Sequence, residues 1–124
     1  MIPKFRAWDK LNNEMSVVEQ INFNRGEFES IGYGISSLRE AGKIELMQST
    51  GLKDKNGKEI FEGDILKSNK YITSVFYERG AYCVKFSRTP NTTVTMNVIS
   101  FIEKYKTKII GNIYENPELL EVIE

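Results

Sequence analysis

Hydrophobic and polar positions alternate with a period of two along most of this chain, in short runs broken by glycine, asparagine and aspartate. Alternation of that kind sends successive side chains to opposite faces of a strand, so it predicts a β protein with many turns. Near the N-terminus, Phe5-Arg6-Ala7-Trp8-Asp9 alternates large and polar residues, residues 9 to 13 have turn composition, and Met15-Ser16-Val17-Val18 resumes the apolar run. This predicts a hairpin. Ile21-Asn22-Phe23 and Phe28-Glu29-Ser30-Ile31, divided by Asn24-Arg25-Gly26-Glu27, predict a second pair of short strands. Between Gly34 and Gly42, the stretch from Ile35 to Ala41 suits a short helical turn with Ile35 and Leu38 inward.

From Lys43 the signals sharpen. Ile44-Glu45-Leu46-Met47-Gln48 is strand-like, and Asn56-Gly57 marks a tight turn. Gly63-Asp64 introduces a further strand through Leu66, and Tyr71 to Tyr77 and Ala81 to Ser87 form a hairpin around Glu78-Arg79-Gly80. Its second arm sets Tyr82, Val84 and Phe86 on one face, with Cys83 alternating. Val94 to Val98 alternates again, and Lys108 to Tyr114 makes the last strand. Asn116-Pro117-Glu118 then predicts a helix start, because Asn caps, Pro is tolerated at the first position and Glu favours the positive end. Short strands with a turn every eight to twelve residues or so fit a small barrel. The expected fold is therefore mainly β, with a β-rich N-terminal subdomain over 1–43 and a barrel plus C-terminal helical turn over 44–124.

Composition removes several kinds of chemistry. The 124 residues are enough for one core or two small packed modules, and 40% hydrophobic with 27% charged residues is a folded composition. Cys83 is the single cysteine and the chain has no histidine, which takes away an internal disulfide, the commonest metal ligand and the commonest general base. No catalytic constellation is visible, and no cofactor or metal is expected. The sequence has no signal-peptide pattern and no apolar run long enough to span a bilayer, so a cytoplasmic protein without a membrane partner is expected.

Charge adds one uneven feature. Basic and acidic residues cancel at 17 each, yet residues 66 to 108 hold eight basic groups against Glu78 and Glu103, while the tail carries Glu115, Glu118, Glu121 and Glu124. Such segregation makes a basic face for an acidic partner, or neutralisation of the basic segment by the chain's own tail. Lys67, Lys70, Tyr71, Arg79, Lys85, Arg88, Lys104 and Lys106 are the candidate macromolecule-binding residues, a basic and aromatic surface. A neutral protein with a pI near 6.4 lacks the usual footprint of a nucleic-acid binder.

Four segments stand out beyond their periodicity: Phe5 to Asp9, Leu46-Met47-Gln48-Ser49-Thr50-Gly51-Leu52-Lys53-Asp54, Phe61-Glu62-Gly63-Asp64-Ile65, and Ile110-Gly111-Asn112-Ile113-Tyr114-Glu115-Asn116-Pro117-Glu118-Leu119-Leu120. In that order and spacing the chain resembles the YopX family of bacteriophage and prophage proteins. The resemblance implies a phage or prophage origin, a C-terminal SH3-like β barrel and an N-terminal β-rich subdomain, and it implies no activity. Residues 13 to 42 depart from the pattern.

The motif positions Trp8, Asp9, Gly51, Gly63, Asp64, Gly111 and Asn112 are expected to be structural. Trp8 has the size to bridge β subdomains in a core. Glu59, Glu62 and Asp64 fall within six residues, but a Gly-Asp pair entering a strand supplies a turn and an oxygen for nearby backbone N–H groups. Cys83 lacks a base to activate it. A non-enzymatic protein is expected, binding a host or phage protein and serving, in one version, to inhibit a host defence complex. Single-strand nucleic-acid binding and self-assembly into a homo-oligomer through β edges are the alternatives.

Overall fold

Most of the alternating runs are strands, although the hairpin arm expected from Tyr71 to Tyr77 is broken at Val75 into two, and the chain is mainly β with a curled, half-barrel sheet. The computed structural model describes residues 4–33 and 37–121. The chain divides into two compact units, Met1–Ser49 and Thr50–Glu124.

In the first unit the strands are β1 (Phe5–Asp9), β2 (Glu14–Val17), β3 (Gln20–Asn24), β4 (Glu27–Tyr33), β5 (Ser37–Glu40) and the start of β6 (Ile44–Lys53), which carries the chain into the second unit. β1 pairs antiparallel with β2 and with β6, from Phe5↔Gln48 to Asp9↔Ile44. β3, β4 and β5 form a separate three-stranded sheet. The register of β1 turns Ala7 inward, where it meets Ile31 and Ile44, and Val18, Ile21, Phe28 and Leu46 close around them. Trp8, expected in the core, is half-buried on the opposite face of β1, and the core is built from the smaller Ala7 instead. Asp9 shares the buried face of Ala7 and caps the turn that follows: its Oδ1 accepts the N–H groups of Leu11 and Asn12.

The helical turn expected over 35–41 does not form in its described part. Ser37–Glu40 is strand β5, paired with β4 from Tyr33↔Ser37 to Ser30↔Glu40, and one 3-10 turn, Ala41–Lys43, follows. A helix of one or two turns does not repay its nucleation cost, whereas an adjacent strand satisfies backbone groups at once. Ile35 lies outside the described residues.

The second unit continues with β7 (Glu59–Phe61), β8 (Asp64–Lys67), β9 (Ile72–Ser74), β10 (Phe76–Glu78), β11 (Ala81–Thr89), β12 (Thr92–Asn97), α1 (Val98–Lys104), β13 (Lys108–Asn112) and α2 (Glu118–Glu121). Two antiparallel sheets run in the orders β13-β8-β9 and β10-β11-β12. Ile60, Leu66, Val75, Val84, Phe86, Val98 and Phe101 are buried together, and Tyr71 and Tyr105 pack on them. Phe101 stands 5.5 Å from Phe86 and 5.1 Å from Tyr105 between ring centroids, in tilted arrangements that favour aromatic pairs.

Helix α1 corrects the sequence expectation, which carried a strand as far as Val98 and placed nothing regular between it and Lys108. The strand ends at Asn97, whose backbone is still extended, and Val98, Phe101, Ile102 and Tyr105 recur at helical spacing. That spacing turns one stripe inward, with Val98 and Phe101 buried.

Candidate anion-binding cleft

Five lysines gather at one cleft of about 540 Å³ in the second unit: Lys55, Lys67, Lys104, Lys106 and Lys108, with Ser68, Asn69 and Tyr105 completing the walls. Three separate pieces of chain supply them, around Lys55, around Lys67 and from Lys104 to Lys108. Asp54 organises the turn that carries Lys55. Its Oδ1 accepts the N–H groups of Asn56 and Lys58 at 2.9 and 2.8 Å, and its Oδ2 accepts the N–H of Ile109 at 2.9 Å. Lys55 then donates its own N–H to the carbonyl of Thr107. The turn is thereby stitched to the start of β13, between Lys106 and Lys108.

Lys67 and Lys108 face each other across the β8–β13 ladder. Lys104 ends α1, with its ammonium 5.7 Å from the centre of the Tyr105 ring. The Ser68 turn is fixed by its hydroxyl, which accepts the N–H groups of Lys70 and Tyr71. All five lysines are exposed, and among the described residues none forms an ion pair. Like charges directly opposite in a ladder cost stability, and five cations on one concavity raise the local potential for an anion. The hydroxyl of Thr107, between Lys106 and Lys108, is buried without a hydrogen-bond partner.

Neither Glu115 nor Glu118 of the acidic tail forms an ion pair with these lysines. Glu115 accepts a hydrogen bond from Asn112 Nδ2, and Glu118 and Glu121 lie on α2. Glu124 is outside the described residues.

Burial pushes the Asp54 carboxyl pKa upward, but the N–H donors of Ile109, Lys58 and Asn56, with the charge of Lys58, outweigh it. The net result is a carboxyl held below its ordinary value. Tyr82 is shifted the other way: burial, then the charges of Glu62 and Tyr77, raise its phenol above the usual 10.

The residues expected on the basic surface divide among several places. Lys67, Lys104 and Lys106 meet in the lysine cleft. Tyr71 and Lys85 line a second cleft, of about 470 Å³, with Ile72, Thr73, Phe86 and Leu120. The Tyr71 ring is stacked 4.2 Å from Phe86 and edge-on to Tyr105, so its face is used inside the unit. Lys70 sits in the Ser68–Tyr71 turn outside the cleft wall, Arg79 at the left-handed tip of the β10–β11 hairpin, and Arg88 at the bulge near the end of β11. Lys55 and Lys108 are additions to that set. Lys108 had a signal in its alternation with Lys106 around buried Thr107, whereas Lys55 arrives through the Asp54–Ile109 bond and had no local one.

The motif positions build turns. Gly63, at φ 88, occupies the left-handed region, donates its N–H to Val75 O and receives the N–H of Ile113. Asp64, buried beside it, accepts the N–H of Phe61 at 2.7 Å. Asn112 Oδ1 accepts the N–H groups of Tyr114 and Glu115, and Asn116 Oδ1 accepts the N–H of Asn112. The Asn116 side chain lies directly over Gly111, its Cγ 2.8 Å from where a Cβ would stand. Gly51 lies within β6, also at positive φ. Cys83 is buried, its thiol 3.7 Å from Asn97 Oδ1.

These turn-building segments lie inside the span, residues 4–121, that matches the YopX protein family. The chain belongs to the YopX family. Among solved structures, the crystal structure of protein EF1440 from Enterococcus faecalis is similar to it, with 34% identity and a TM-score of 0.70. The match covers 97% of this chain and 99% of that one. No curated protein matches. In this YopX-family protein, no helix among the described residues is long and apolar enough to cross a membrane.

Proposed function

We propose that this YopX-family protein is a non-enzymatic accessory protein of phage or prophage origin. Its second unit acts as an SH3-like barrel that docks an acidic face of a host or phage protein in the bacterial cytoplasm, with inhibition of a host defence complex as one such use. The observation that carries the reading is the convergence of Lys55, Lys67, Lys104, Lys106 and Lys108 on one cleft without a carboxylate counterion among the described residues. A docked carboxylate-bearing surface relieves the repulsion between Lys67 and Lys108.

Single-strand nucleic acid is the competing occupant, since lysines serve phosphates equally well. Base stacking, however, needs free aromatic faces. Tyr71 and Tyr105 are engaged with Phe86 and Phe101, which favours the protein partner. The test compares host-lysate pull-downs by the wild type and by Lys67→Glu/Lys106→Glu, with Lys43→Glu, an exposed change in the first unit, as control, alongside gel shifts on single-stranded and duplex DNA and RNA. The reading expects a defined protein retained by the wild type and the control and lost by the double variant, with the loss mimicked by raising salt. Equal recovery by all three, or a salt-sensitive gel shift without a protein partner, removes it.

A further inference from the structure

The second cleft, lined by Tyr71, Ile72, Lys85, Phe86, Ser87 and Leu120, lies where the β ladder comes apart. β10 pairs with β11 from Glu78↔Ala81 to Phe76↔Cys83, and there the backbone pairing on that side of β11 stops. Val75 instead donates its N–H to Asp64 O, and β9 turns away to pair with β8. One side chain spans the gap: the Thr73 hydroxyl donates to Lys85 O at 2.8 Å and accepts the Lys85 N–H at 3.2 Å. The Lys85 backbone groups therefore point toward β9, and with a period of two that holds as far as Ser87↔Thr93, ahead of the bulge before Thr89, the Ser87 N–H points the same way. No described strand meets them. β11 thus presents an open edge on a concavity of about 470 Å³. The inner wall is apolar, through Ile72, Phe86 and Leu120, while Lys85 is exposed on the outer side.

We propose that this seam is an acceptor site for an extended, acidic, β-branched peptide segment of a partner protein, which adds as a strand along the Ser87 edge of β11. Alternation suits the two walls: aliphatic side chains of the added strand turn toward Phe86 and Leu120, and the carboxylates between them stand beside Lys85. Strand addition supplies a backbone partner on the open side of Ser87. The site is separate from the lysine cleft and does not depend on it.

A titration of the full ¹⁵N-labelled chain with the synthetic peptide acetyl-Glu-Val-Glu-Val-Glu-Val-amide, followed by NMR, tests this. The expected result is shifts concentrated at the Ile72, Lys85 and Ser87 amides and slower hydrogen exchange at Ser87. Replacing the central valine by proline should abolish binding, because it removes a ladder donor. Lys85→Glu, an exposed change, should weaken binding about tenfold, while Lys55→Glu/Lys106→Glu, confined to the lysine cleft, should leave it within about twofold. No shift at millimolar peptide overturns the proposal. So do shifts confined to Thr93 and Thr95 on β12, or to the lysine cleft.

Discussion

The carboxylate of Asp54 accepts the N–H of Ile109 at 2.9 Å, joining residues 55 positions apart in sequence. This bond closes the wall of the lysine cleft, since it pins the Lys55 turn against the strand that begins with Lys108. Asp54→Ala orphans three backbone donors and should cost about 2–3 kcal/mol. Urea denaturation would read this as a lower midpoint at unchanged m-value.

Acid should act through the same residue. Because the Asp54 carboxyl is held below 3.8 in the folded chain, its contribution is fully present above that pH and is lost as pH falls through the lowered value. The acid midpoint of Asp54→Ala in a denaturation series should therefore lie higher than that of the wild type. Tyr82 works in the opposite direction. Its raised pKa leaves its contribution intact below pH 10 and lost as pH climbs through the raised value, so Tyr82→Phe should unfold at higher pH than the wild type.

Lys67→Glu should stabilise the protein while weakening its docking. It replaces a like-charged pair across the β8–β13 ladder with an opposite-charged one, a change of about 0.3–1 kcal/mol in favour of the fold. Thermal unfolding in low and high salt checks it, because screening should shrink the gain. A destabilised Lys67→Glu would show that the lysine pair is not a repulsive element.

Gly111→Ala should be destabilising by about 1–3 kcal/mol, since the added methyl meets the Asn116 side chain. Asn116→Ala alone gives up the bond to the Asn112 N–H. Together the two should cost less than the sum of the single changes, as the clash and the bond share one side chain. A double-mutant cycle measures that coupling; strict additivity would contradict the contact.

Arg39→Ala should cost about 1–3 kcal/mol. It strips the buried Asp9 carboxylate of the Nε donor at 2.9 Å, while the N–H groups of Leu11 and Asn12 go on donating to it. Asp9→Asn with Arg39→Ala should recover part of the loss, because removing the buried charge along with its guanidinium partner costs less than removing the guanidinium alone. Calorimetric melting of the three variants decides it.

Sequence by itself determined the β character, the hairpins at Arg79-Gly80 and Asn56-Gly57, and the turn roles of Gly63-Asp64 and Gly111-Asn112. Each depends on periodicity or on a residue's own conformational preference, which act over a few positions. It also carried the signal for α1, in Val98, Phe101, Ile102 and Tyr105, although the adjoining alternation of Val94 to Asn97 masked it. Tertiary structure alone decided that Ser37–Glu40 is a strand, since a neighbouring strand outbid the local turn signal. It alone decided which cations meet: Lys55 reaches Lys108 through Asp54 and Ile109, while Arg79 and Arg88, so close to Lys85 in sequence, stand at opposite ends of β11. Charge along a chain has no period that reports where folding will gather it. The gathering is done by long-range hydrogen bonds, such as that from the Ile109 N–H to the buried Asp54 carboxylate, whose partners no local pattern names.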